Sequence, residues 1–126
     1  MVEDFNSYTE NHPTIFAKLG NHSFLLEKCK DPIKGLSNRD DINGHNGMIF
    51  YLNPDMEHSF HMKDCLLPLD IIFINGNIIE KIYSNCKPCK LYNCKKYTYP
   101  NYNIVIEILG GVSKTLGILP NDIVIF

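Results

Sequence analysis

Residues 35–74, GLSNRDDINGHNGMIFYLNPDMEHSFHMKDCLLPLDIIFI, decide the fold, because charged side chains sit singly among short apolar runs bounded by turn residues. Gly47–Leu52, Ser59–Lys63 and Pro68–Ile74 each have a strand's length, and the first and last are rich in Ile and Phe. Asn43-Gly44, Asn53-Pro54-Asp55 and Asn75-Gly76 punctuate them, and the last dipeptide carries the φ freedom of a two-residue hairpin into Ile78–Tyr83. None of the runs has the length or 3.6-residue period of a long helix.

The same reading extends outward. Thr14–Leu19 and Ser23–Cys29 flank Gly20-Asn21 and predict another hairpin. Asp31-Pro32 supplies an N-cap and a first-turn proline for a helix of one or two turns. Asn103–Leu109 is a β-branched run, Gly110–Leu116 a second short helix, and Asp122–Phe126 a final strand. About eight short strands separated by turns predict a mostly β fold, a small antiparallel β-barrel-like single domain with one or two short helices. Residues 1–13 lack periodicity and read as a flexible N-terminal extension, leaving residues 14–126 as the domain.

At 126 residues the chain suits one hydrophobic core without metal or disulfide support. No run approaches the roughly 20 apolar residues of a membrane helix. The acidic start, MVEDFNSYTENHPT, lacks the basic and apolar regions of a secretory signal, so a cytoplasmic location, or incorporation into a particle assembled there, is expected. Charge is uneven: residues 1–80 carry six basic against twelve acidic side chains, and residues 81–126 carry six against two. Arg39 is the one arginine in a lysine-rich composition, which raises the question of what its planar fork holds.

Gly35-Leu36 with Arg39, Gly47-Met48-Ile49-Phe50, Phe60-His61-Met62-Lys63, Pro68 to Phe73, Cys89 and Cys94 with Tyr97, Ile106 to Gly111, and Gly117-Ile118 with Asp122 occur in an order that resembles the family called domain of unknown function 192. Ser37, His61, Cys65 and Asn121 depart from its usual pattern without breaking a strand. The resemblance implies a small β-barrel-like domain and no established activity. Family members often carry an export signal, and in an exported relative the matched Cys89 and Cys94 could form a disulfide.

Alternation along Leu69–Ile74 puts Asp70 on the face of Ile72 and Ile74, opposite Leu69, Ile71 and Phe73, and Glu107 similarly shares a face with Val105 and Leu109. A carboxylate in a strand covered on both sides needs a partner or a proton. Arg39 is the natural partner, so Arg39, Asp70 and Glu107 are expected to converge, either as an ion network pinning a helix to the sheet or as a polar pocket to which Lys63 or His61 adds a donor. Met48 and Met62 read as core, and His58 with His61 lies at a spacing ill suited to sharing a metal on a strand.

Cys86, Cys89 and Cys94 form a second cluster in a Lys- and Tyr-rich loop: a disulfide or zinc staple, unlinked thiols, and thiol exchange are all open. Zinc is the one cofactor the sequence suggests, and no other is expected. The five lysines and four tyrosines of Lys81–Tyr99 resemble a single-strand nucleic-acid surface, but one arginine and a net negative charge disfavour that partner. Leu109–Thr115 lacks the Gly-Lys order of a phosphate loop. The reading reached is a non-enzymatic binding or interaction module, its partner a small molecule or protein. The alternatives are a small hydrolase-like enzyme built on Arg39, Asp70 and Glu107, and a zinc- or thiol-dependent module on the cysteine loop.

Overall fold

The apolar alternation becomes seven strands among the described residues, which in this computed structural model are 13–32, 34–39, 45–53 and 59–126. They are β1 (Thr14–Leu19), β2 (His22–Lys28), β3 (Gly47–Tyr51), β4 (Leu69–Asn75), β5 (Ile78–Cys86), β6 (Ile104–Leu109) and β7 (Val124–Ile125). A five-residue helix, α1 (Val112–Leu116), joins β6 to β7. All lie in one sheet of order β5-β4-β6-β3-β2-β1-β7.

The two ends of that order meet. Ile79 N–H donates to Asp122 O at 3.0 Å, Asn121 N–H to Ile79 O at 2.7 Å, and Val124 N–H to Asn77 O at 2.7 Å, so the sheet curls into a nearly closed barrel. Closure satisfies edge groups that would otherwise invite strand addition. The neighbouring strands pair antiparallel except β2 and β3, which are parallel with Glu27 opposite Met48. Gly47 begins β3 because a Cβ there would fall on the Glu107 carbonyl oxygen and 2.9 Å from Ile108 Cγ2.

Alternation sends residues to two cores. Ala17, Leu19, Phe24, Leu26, Ile49, Ile72, Ile74, Ile106 and Ile108 fill the barrel. On the outer face Met48, Phe50, Leu69, Ile71, Phe73 and Val105 form a second core, roofed by Leu36, Phe60, Met62, Cys65, Tyr97, Tyr99 and Tyr102 from the loops. Phe73 is the hub of that roof, with ring centroids of Tyr102, Phe60 and Tyr83 at 4.8, 5.8 and 5.9 Å in edge-to-face geometry. Each such pair adds about 0.5–1.5 kcal/mol beyond the area it buries. Met48 and Met62 are core, as their runs implied.

Three local expectations need correction. The helix after Asp31-Pro32 is, over the described residues 34–39, a series of turns, because Gly35 at φ 47° and Asn38 at φ 60° leave the helical region. Ser59–Lys63 is not a strand but two isolated bridges, Phe60 to Tyr97 and Lys63 to Cys89, ended by Asp64 at φ 60°. The final strand shrinks to two residues. Residues 1–12, and the turns placed at Asn43-Gly44 and Pro54-Asp55, lie outside the described residues, as does His58.

Candidate functional site

The three charged residues expected to converge are held apart by register. Ile71 stands opposite Glu107 across β4 and β6, so Asp70, one residue earlier, points through the sheet to the other side. Asp70 is fully buried, and each of its oxygens is used: Oδ1 accepts from Asn85 N–H at 2.7 Å and Gly111 N–H at 2.9 Å, and Oδ2 from Ser113 N–H at 2.9 Å and Ser113 Oγ at 2.6 Å. Three backbone amides and a serine hydroxyl, not a guanidinium, answer this acid. Its role is structural, tying the β6–α1 turn to β4 and β5.

Arg39 instead forks onto Glu27 of β2, Nη1 to Oε2 and Nη2 to Oε1 both at 3.0 Å. His45 Nδ1 lies 3.6 Å from the same carboxylate. The reasoning that the one arginine serves a buried acid in a strand holds, since Glu27 is 5% exposed, but the acid is a different one. An acid at the sixth position of β2, next to the strand end where exposure is the usual expectation, was the signal available.

Glu107 is the anomaly. It is 5% exposed, lies two strands from Glu27 with Met48 between them, and among the described residues its carboxyl has no hydrogen-bond or ion-pair partner. Burial pushes its pKa from 4.5 up to about 8, so the group is a neutral carboxylic acid at pH 7. It opens onto a cavity of about 70 Å³, whose other walls include Lys34, Gly35, Ser37, Phe50, Ser59, Phe60, His61 and Cys65. That space admits about five water-sized spheres.

The donors around this acid come from loops laid over the sheet. Lys34, Gly35 and Ser37 arrive on the turns after β2, and Ser59, Phe60 and His61 on the segment bridged to Tyr97. His61 Nδ1 accepts from Lys63 N–H at 3.2 Å, which leaves the ring proton on Nε2. Of the two donors suggested for a polar pocket, His61 lines the cavity and Lys63 does not; the Lys63 carbonyl accepts from Ser37 Oγ at 3.4 Å. Cys65 and Cys29 flank the acid, and burial first, with the Glu107 charge adding to it, pushes both thiols up to about 11.

In the cysteine loop, Cys89 and Cys94 form a disulfide, and Cys86 is a buried free thiol whose Sγ donates to Tyr83 O at 3.4 Å. A disulfide sulfur carries no thiolate charge, so zinc held by this loop would first require reduction of that bond. Tyr83, Tyr97 and Tyr99 pack on the outer core and are not a free stacking platform, although Tyr92 is almost wholly exposed. No helix among the described residues is long and apolar enough to cross a membrane.

With this geometry in place, the comparisons with known proteins give a family and a fold. The chain belongs to the DUF192 family, described as an uncharacterized ACR, whose model matches residues 22–126. It is similar to the crystal structure of a protein of unknown function from Novosphingobium aromaticivorans DSM 12444, with 28% identity over 90% of this chain and 85% of that one and a TM-score of 0.76. A Sinorhizobium meliloti 1021 protein, provisionally described as a transcription regulator, is 26% identical over 91% of this chain and 95% of its own, also with a TM-score of 0.76. No curated protein matches.

Proposed function

We propose that this chain is a small-molecule-binding module whose recognition element is the Glu107 carboxyl in its outer-face cavity. The supporting observation is that no described residue hydrogen-bonds or pairs with that buried acid. A carboxyl that the protein gives no hydrogen-bond partner of its own keeps its donor and acceptors for whatever occupies the adjoining space, which is large enough for a few heavy atoms. Asp70, equally buried, spends all its capacity on the protein itself, so the fold is able to satisfy an embedded acid and does not do so at Glu107. The enzyme alternative retains only Glu107 of the three residues named for it, because Asp70 faces away and Arg39 is engaged by Glu27.

Protein labelled with ¹³C at Glu side-chain carboxyls, titrated with a panel of neutral, anionic and cationic fragments of about five heavy atoms, tests the reading. Binding moves the Glu107 carboxyl signal together with the amides of Gly35, Leu36 and His61. A panel that leaves all four signals in place overturns it.

A further inference from the structure

The walls of the Glu107 cavity also select among ligand charges. Among the described residues Glu107 is the only acid lining it, and the other polar residues there are Lys34, His61, Ser37 and Ser59. Ser37 Oγ is directed to the Lys63 carbonyl, and Ser59 stands at the exposed rim. The remaining donors, the Glu107 carboxyl, Lys34 and His61 Nε2–H, all suit an acceptor oxygen. A cation would meet the like charge of Lys34 and an acid that must first lose its proton. An anion meets the positive charge of Lys34 and two further donors, and it needs no proton to leave the protein.

Resting on the binding-module reading, we infer that the ligand is a small carboxylate, one oxygen accepting from the Glu107 carboxyl and the other from His61 Nε2–H, with the charge offset by Lys34. Pairing of a carboxylic acid with a carboxylate is a charge-assisted hydrogen bond, about twice as strong as a neutral one. The cavity's size restricts the ligand to a short chain, about five heavy atoms. Phe50, Phe60 and Leu52 supply apolar walls for that chain.

Other titrating groups near Glu107 must be separated from it. Cys29 and Cys65 hold their protons to about 11, and Cys86, whose thiol is raised by burial, is the third thiol that feels the Glu107 charge. Among the described residues the Glu27–Arg39 pair lies beyond Met48, and Lys34 and His61 line the same cavity.

Three probes of similar size, propionate, propionamide and n-propylammonium, titrated at pH 6, 7 and 9 and followed by the Glu107 carboxyl and Gly35 amide signals, test this. Propionate is expected to bind, with its Kd rising about tenfold per pH unit once Glu107 loses its proton. Glu107→Gln keeps a neutral donor, so propionate binding persists and the alkaline loss disappears. His61→Gln keeps that loss. Preference for n-propylammonium that strengthens with pH, or for propionamide, overturns the carboxylate assignment and leaves the cavity a binding site. An alkaline loss that survives in Glu107→Gln but vanishes in His61→Gln overturns the role given to Glu107. Silence from all three probes overturns the carboxylate assignment, while the binding-module reading stands or falls on the wider fragment panel.

Discussion

Replacing Glu107 by Gln should stabilise this protein at neutral pH, which is unusual for a buried position in a packed sheet. In the unfolded chain the carboxyl ionises near 4.5, whereas in the barrel it holds its proton to about 8. The folded state therefore binds one more proton than the unfolded state across that window, and stability is lost as pH rises through it, at about 1.4 kcal/mol per unit. The favourable contribution is complete below pH 4.5 and gone above pH 8. By pH 7 the loss amounts to about 3 kcal/mol, and it approaches about 5 kcal/mol at its end. Gln is nearly isosteric and never ionises, so its stability lacks this slope. Urea denaturation of both proteins between about pH 5 and 9, compared as a difference, cancels every other titrating group common to the two. The two stabilities should be similar at pH 5 and diverge in favour of Gln above it. A difference that stays flat across the range would mean that Glu107 is ionised and solvated or paired in the native state, and the buried neutral acid would have to be abandoned.

Other consequences follow from the same contacts. Asp70→Ala strands the amides of Asn85, Gly111 and Ser113 and the Ser113 hydroxyl, and should cost about 4–6 kcal/mol or prevent folding, with Ser113→Ala costing about 1–2 kcal/mol by urea melts. Arg39→Ala removes the fork from Glu27 and should cost about 1–3 kcal/mol, less than for a fully buried pair because the guanidinium is 21% exposed, while Arg39→Lys recovers only part of it in thermal melts. Gly47→Ala places a methyl against the Glu107 carbonyl and should be the most damaging single-methyl change in β3, read as loss of soluble folded protein by circular dichroism. Native protein should react with iodoacetamide at pH 7.5 far more slowly at Cys29 and Cys65 than unfolded protein does, since both thiols are raised to about 11, and mass spectrometry of the alkylated peptides measures this.

Much of the fold was legible because strand formation is local. Period-two alternation and β-branched residues mark β1, β2, β4 and β6, and Asn75-Gly76, with Gly76 at φ 65°, makes the hairpin its dipeptide announces. The segments that failed, residues 34–39 and 59–63, are those whose conformation is set by what they cover. Their backbones bond to distant loops, Asn38 N–H to Asp64 O and Phe60 N–H to Tyr97 O, and no local pattern encodes such partners.

The candidate site divides along the same line. Sequence by itself determined that Asp70 and Glu107 are acids embedded in apolar strands and that the lone arginine answers a buried carboxylate, because burial and side-chain type are written in each strand separately. Only the tertiary structure decided which acid receives which partner, since that depends on register between strands far apart in the chain. With Ile71 opposite Glu107, Asp70 must face the other way and finds the α1 turn, Glu27 takes Arg39, and Glu107 alone is left facing a cavity. A shift of one residue in that pairing would put both acids on one face, and no property of either strand alone records it.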